Sequence, residues 1–294
     1  MTSYNNGFLW KKKGIVTAPD WKPTHECGNG LHAFLNGEGN GNLVNYDPAN
    51  KWLVLKVKKD TIIDLDGKVK FPKCEVIFCG DRKEATDKLQ ELGCNGAIIG
   101  CFKIGGAGAT VLGGAGATVS GGAGATVLGG AGATVSGGAG ATVSGGDRAT
   151  VLGGAGATVS GGDWATVLGG DRAKVSGGDW AKVLGGAGAT VSGGDRAKVS
   201  GGAGATVSGG DRATVLGGDW ATVSGGDWAT VLGGDRATVS GGDWATVSGE
   251  AGATLQIKYS DGYRYRIKTE YVGENGIKAN TKYKLNDKNE FEEV

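Results

Sequence analysis

Two sets of side chains in this 294-residue chain have types and spacings that could do chemistry. The first is a row of tryptophans and arginines recurring every 16 residues: Arg148, Trp164, Trp180, Arg196, Arg212, Trp228 and Trp244. An aspartate precedes each, giving a parallel column of Asp147, Asp163, Asp179, Asp195, Asp211, Asp227 and Asp243. Exposed Trp and Arg dominate the energetics of protein contacts, and a row of bare indoles is costly to leave uncovered. The row therefore predicts an adhesive face for a protein partner or a second copy, since a two-fold homodimer covers both rows at once. The competing reading is structural. Stacking and cation–π contacts between successive rows would stiffen a scaffold, and each Asp would bond backbone N–H groups at a nearby turn.

The second set is His25, Cys27, His32, Cys74 and Cys79. The spacings Cys27-x4-His32 and Cys74-x4-Cys79 lie near those of zinc ligands. No CxxC pair is present, however, and strand alternation can place Cys74 in a core, so buried thiols are expected and no metal or cofactor. His32, within GNGLHAF, is the best candidate for a functional polar residue among the first hundred. It has no evident nucleophile, carboxylate pair or metal beside it, and a lone imidazole is not an active site. Glycine doublets are frequent, but no GxxxxGK[ST] accompanies them, so they are turns and not phosphate loops. The chain is read as a non-enzyme.

Both sets need elements to position them. From Gly105 to Gln256 the chain divides without insertion into nineteen octads such as GGAGATVS, GGDRATVS and GGDWATVL. Internal repetition of this kind determines architecture before any local pattern does. Gly-Gly at positions one and two is expected to supply the positive φ of a corner. Ala at five and Val at seven point one way, and Thr or Lys at six with Ser or Leu at eight point the other, the period-two pattern of a strand. Ala and Val are too small for a conventional core, so each strand must pair with the coil above and below it, as in a stacked β-solenoid. Counting octads from Gly105, the even ones carry Asp-Arg or Asp-Trp in seven of nine cases and the odd ones in three of ten. Five of the seven position-eight leucines are also even. Two octads, or sixteen residues, per coil explain both asymmetries, and at about 4.8 Å per coil the array would extend roughly 45 Å.

Residues 1–104 read as a small α+β domain. Strands are expected at Trp52–Val57 and Cys74–Phe78, and a helix over Asp81–Leu92 closed by Gly93, while Asn36–Asn45 is too rich in Gly and Asn to be regular. Residues 257–294 read as a C-terminal β cap. A hairpin turns at Asp261-Gly262, and Thr281–Leu285 with Glu290–Val294 would form a second one, covering a sheet edge that would otherwise recruit another chain. Chain-wide, 61 glycines set against 4 prolines fit a repeat protein, and 31 basic against 30 acidic residues remove any net electrostatic pull toward an anionic membrane. Within the repeats eleven acidic residues oppose eight basic ones, which disfavours nucleic acid although Arg and Trp together could bind it. Met1–Gly14 has no apolar stretch of signal-peptide length, and no segment reaches the roughly 18 apolar residues of a membrane span. Five irregularly spaced cysteines, all before the repeats, suit free thiols, which places the protein in the cytoplasm.

The octads GGDRATVS and GGAGATVS resemble the repeats of bacterial ice-nucleation proteins, in which Gly, small residues and an outward Thr-x-Thr pair recur every eight positions. The resemblance covers residues 105–256 and implies an ice- or surface-binding role through flat arrays of outward Thr. This chain departs from the pattern: position eight is Ser or Leu, and Lys174, Lys182 and Lys198 replace the outward Thr, interruptions that would spoil a lattice-matched surface. The flanks ECGNGLHAFLNGEGNG, DLDGKVKFPKCEVIFCGD and YVGENGIKANTKYKLND resemble a family of uncharacterised bacterial and phage-type proteins that join such pieces to octapeptide arrays, which implies the architecture and no particular activity. The leading expectation is thus a rigid noncatalytic scaffold that binds through its Trp/Arg/Asp face. The alternatives are an ice- or surface-binding protein, and a small-ligand or enzymatic N-terminal domain carried on a solenoid spacer.

Overall fold

A computed structural model describes residues 8–45, 47 and 49–294, so Met1–Gly7 of the stretch scanned for a leader lie outside the described residues. The chain forms two compact units, one of residues 1–103 with 112–119 and 129–133, the other of residues 104–111, 120–128 and 134–294.

In the first unit, β1 (Gly14–Thr17), β2 (Leu31–Ala33), β3 (Trp52–Val57), β4 (Ile63–Asp64), β5 (Val69–Phe71) and β6 (Lys73–Gly80) make two antiparallel sheets, ordered β1-β6-β3 and β2-β5-β4. Alternation on β6 buries Cys74 and Val76 against Val16, Leu31, Val69 and Phe71. Helix α1 (Arg82–Glu91) begins at a capping box, the Asp81 carboxylate accepting from Glu84 N–H while the Glu84 carboxylate accepts from Asp81 N–H. The segment expected to be irregular contains two short 3-10 turns, Leu35–Gly37 and Gly41–Leu43. Local i to i+3 hydrogen bonds such as Gly37 N–H to Phe34 C=O satisfy a backbone that no strand pairs with.

The second unit is the solenoid. Strands of odd octads, from Thr126–Leu128 to Thr254–Ser260, stack in parallel in one sheet, and strands of even octads, from Thr134–Gly137 to Thr246–Gly249, in another. Register is exact at 16 residues, with Val127 opposite Val143 on one wall and Val135 opposite Val151 on the other. Ala157, Val159, Ala165 and Val167 show what fills one coil: all are at most 1% exposed.

The glycine doublets work differently from the expectation. Neither doublet residue has positive φ; the left-handed residue is at position four, from Gly140 at φ 64° to Trp164 at φ 60°. Each corner is a four-residue turn closed by a bond such as Ala149 N–H to Gly146 C=O at 3.3 Å, with positive φ at its third residue as a type II turn requires. The doublet is glycine because of crowding. A Cβ on Gly193, at position one, would sit 2.6 Å from Val199 Cγ2 and 2.8 Å from Ala197 Cβ, so the two walls touch across a glycine. A Cβ on Gly154, at position two, would sit 2.6 Å from the backbone nitrogen of Ala139 in the preceding coil.

Both sheets end in antiparallel strands at the C-terminus. Thr254–Ser260 continues the odd wall and turns back as Tyr265–Tyr271, while Tyr283–Leu285 pairs with the even wall at Val247 and then with Phe291–Glu293. Asp261 shapes the first hairpin by accepting from the N–H groups of Tyr263 at 3.0 Å and Arg264 at 2.9 Å and from Arg266 Nε at 2.6 Å. Those bonds hold its carboxyl down to about 2. Among the described residues no helix is long and apolar enough to cross a membrane.

The crowding argument is testable with two alanines. Gly193→Ala overpacks the walls and should destabilise by about 1–3 kcal/mol. Gly188→Ala, at a left-handed position whose Cβ meets only the Cγ of Arg172 at 3.6 Å, carries only backbone strain of about 1–2 kcal/mol. Urea unfolding followed by circular dichroism should rank wild type above Gly188→Ala and that above Gly193→Ala.

Candidate functional site

The solenoid sorts its outward residues onto two unlike faces. On the odd face, positions six and eight give Thr142/Ser144, Thr158/Ser160, Lys174/Ser176, Thr190/Ser192, Thr206/Ser208, Thr222/Ser224 and Thr238/Ser240 on seven successive coils. Every Thr in that run is exposed, and Ser160 Oγ donates to Ser144 Oγ at 3.1 Å across neighbouring coils. The even face carries Leu152, Leu168, Leu184, Leu216 and Leu232 at position eight together with Lys182 and Lys198, and its Thr166, Thr214, Thr230 and Thr246 are half-buried. Two of the three lysines and five of the seven leucines that break the repeat thus share one wall. The other keeps a two-column hydroxyl array with Lys174 as its single interruption between Thr142 and Ser240.

The Trp–Arg row sits at a corner between the faces and not on a strand. Arg148, Trp164, Trp180, Arg196, Arg212, Trp228 and Trp244 line the corner entering the even strands; Arg172, Trp220 and Arg236, outside the row read from sequence, occupy the opposite corner. All ten have φ between 53° and 61°. A bulky residue held there costs about 1–2 kcal/mol relative to glycine, and other octads use glycine at the same position. Trp164 stacks on Trp180 at 5.0 Å with 3° between planes, Trp228 on Trp244 at 5.4 Å with 12°, and the Arg196 guanidinium lies 4.8 Å from the Trp180 ring. The rings still face solvent, with Trp164 57% and Trp244 59% exposed.

The Asp column bonds along the axis. Asp163, Asp179, Asp195, Asp211, Asp227 and Asp243 each donate the backbone N–H to the Oδ1 of the Asp one coil earlier, beginning at Asp147, at 2.8–3.1 Å. The backbone closes the same step, as in Arg148 N–H to Asp163 C=O at 2.8 Å. An Ala at position three cannot supply this acceptor.

In the first unit, Cys27 and His32 line one cleft of about 630 Å³, with Phe8, Trp10, Asp20, Phe34 and Lys68 among its walls. Lys68 Nζ donates to the exposed Cys27 Sγ at 2.9 Å, and that bond holds the thiol below its usual range. Fully buried Lys70 ties down the loop carrying Cys27, its Nζ donating to Glu26 C=O at 2.8 Å and Thr24 Oγ1 at 3.2 Å. Burial, then the charges of Lys68 and Lys70, push the His32 imidazole down, and its Nε2 is buried without a hydrogen-bond partner. Cys74 is elsewhere, in the core, where burial pushes its thiol up to about 11. His25 Nδ1 lies 3.4 Å from Asp64 C=O, and Cys79 is half-buried on β6. Among the described residues no group of three or more His, Cys, Asp or Glu side chains comes together as metal ligands would. Lys68 was missed from sequence because 41 residues separate it from Cys27.

Residues 1–87 match the family model described as Domain of unknown function (DUF7666). Over the repeats the chain is similar to an ice nucleation protein of Xanthomonas campestris pv. translucens, 34% identical over 85 residues, 28% of this chain and 5% of that protein. It is likewise similar to one of Pseudomonas syringae, 35% identical over 82 residues, 27% of this chain and 7% of that protein. Ice nucleation protein InaU of Pantoea ananas is 31% identical over 83 residues, 28% of this chain and 8% of that protein. The chain therefore spans less than a tenth of the length of these curated relatives. No solved structure matches it. The similarity corrects the cytoplasmic placement: ice nucleation proteins are anchored at the outer membrane, and unpaired cysteines confined to residues 27–101 say nothing about the compartment of a cysteine-free repeat array.

Two outcomes follow from this geometry. Asp195→Ala removes one coil-to-coil acceptor and should cost about 0.5–1.5 kcal/mol in urea unfolding, while Asp195→Asn keeps a carbonyl there and should recover most of it. Alkylation of Cys27 by iodoacetamide should reach half-maximal rate at a pH below the usual cysteine value of about 8.5, because only the thiolate reacts, and Lys68→Met should move that midpoint upward.

Proposed function

We propose that the repeat region is a noncatalytic solenoid whose odd face orders water and binds ice or a comparably regular surface. The observation that carries this reading is the segregation of the interrupting residues. Lysine and leucine scattered along the sequence argue against a regular surface, but most of them fall on the even wall, and the odd wall keeps Thr and Ser in two columns. In-register parallel strands repeat these hydroxyls every ~4.8 Å along the axis and every ~6.7 Å across it. The strands that carry them are backed by Ala and Val at most 3% exposed, so the array has little freedom to ripple. Similarity of the repeats to ice nucleation proteins supports the same reading.

A second reading is supported by the corner. Ten bulky residues held left-handed, where glycine serves in neighbouring octads, support a role for the exposed Trp and Arg side chains in contact with another protein. The two readings use different surfaces and are compatible.

Droplet-freezing and thermal-hysteresis assays on the full chain test the first. Thr190→Lys with Thr206→Lys should abolish activity, whereas the matched pair Thr166→Lys with Thr214→Lys on the even wall should leave it within scatter of wild type. Inactive wild-type protein, or equal losses from both pairs, would remove the ice reading.

A further inference from the structure

We infer that the Trp–Arg corner is a self-recognition surface on which two copies of this chain pair antiparallel, in one register set by the order of its residues. The inference rests on the reading of the corner as a contact surface and names the occupant.

Six consecutive corner residues run Arg148, Trp164, Trp180, Arg196, Arg212, Trp228. Reversed, with Arg and Trp exchanged, the series reads the same. An antiparallel copy related by a two-fold axis between the coils of Trp180 and Arg196 therefore sets Arg148 against Trp228, Trp164 against Arg212, and Trp180 against Arg196. Two-fold symmetry repeats each pair, so six positions meet six positions and every meeting joins a guanidinium to an indole. Trp244 then faces Gly132, an octad with no side chain at that position. Moving the axis by half a coil either way brings Arg against Arg. A parallel pairing in register puts like against like throughout.

Three structural features make this register usable. Coils repeat at an exact 16-residue register, so two antiparallel copies keep step along the contact. Trp164 and Trp228 are each 57% exposed, leaving most of each indole for a partner. Beside each Trp an Asp carboxylate bonded to the next coil offers the incoming guanidinium an ion partner. Arg pairs with rings and carboxylates at once, which Lys does not do as well, and no Lys occurs in this series.

The test uses sedimentation equilibrium on the full chain. Wild type should weigh as two chains at micromolar concentration. Trp164→Gly/Trp180→Gly/Trp228→Gly, which installs the residue native to this position in other octads, should weigh as one, with an unchanged circular dichroism spectrum. Two further variants separate complementarity from stickiness. An all-Arg corner (Trp164→Arg/Trp180→Arg/Trp228→Arg) should be monomeric alone and associate with an all-Trp corner (Arg148→Trp/Arg196→Trp/Arg212→Trp) at least tenfold more tightly than with itself. A wild-type monomer, a dimer that survives the glycine variant, or no preference of all-Arg for all-Trp would each overturn self-recognition. If wild type is monomeric yet loses binding to an identified partner on the glycine change, the contact-surface reading stands and self-pairing fails.

Discussion

A coil can close only if its two walls approach until valine touches backbone, and everything distinctive about this protein follows from that closeness. Position one must be glycine because the opposite Val and Ala already occupy the space of a Cβ. Position two must be glycine because the turn of the previous coil lies against it. With so thin an interior there is little apolar area per coil, so cohesion comes from hydrogen bonds that run along the axis, each strand pairing with its copy one coil away. Those bonds demand exact register, and exact register in turn makes identical side chains stand in columns.

Columns convert single residues into surfaces. One serine beside one threonine is unremarkable, yet the pair on six of seven successive coils makes a regular hydroxyl array. The Asp column shows the same logic in the backbone: each carboxylate accepts from the N–H of the coil ahead, so a residue that reads in sequence as part of a binding face also ties one coil to the next in the fold. The Trp–Arg column is the opposite case. Its intrachain stacks stabilise the corner, but they coexist with a left-handed backbone that glycine would adopt at lower cost, and the rings stay in solvent. Structure alone does not require them, which is why they are read as a contact surface.

The N-terminal unit obeys ordinary rules. Two small sheets share a core of Val, Leu and Phe, a capped helix follows, and a chemically unusual feature is a loop. Lys70 is buried beneath that loop and bound to its carbonyls, and the Cys27 thiol above it is drawn down by Lys68. This is a local electrostatic arrangement on a small scaffold.

Much of the fold was legible in the residues themselves. Octads without insertion dictate stacked strands, the odd and even asymmetry of Asp-Arg and Asp-Trp sets sixteen residues per coil, and the strands around Trp52–Val57 and Cys74–Phe78, the helix after Asp81 and the C-terminal hairpins follow from alternation and turn chemistry, whereas the short strands Gly14–Thr17, Leu31–Ala33, Ile63–Asp64 and Val69–Phe71 carry too little alternation to be read. These are consequences of local periodicity, which a sequence carries explicitly. Three things were decided only in three dimensions. The doublet glycines proved to be spacers and position four the left-handed residue, because crowding between walls is invisible to a pattern of turn formers. The lysines and leucines that appeared to interrupt every surface fell mostly on one, because a two-octad coil sends alternate repeats to opposite sides. Lys68 met Cys27 across 41 residues, because a loop was folded back over a buried cation, and no spacing rule connects residues joined only by packing.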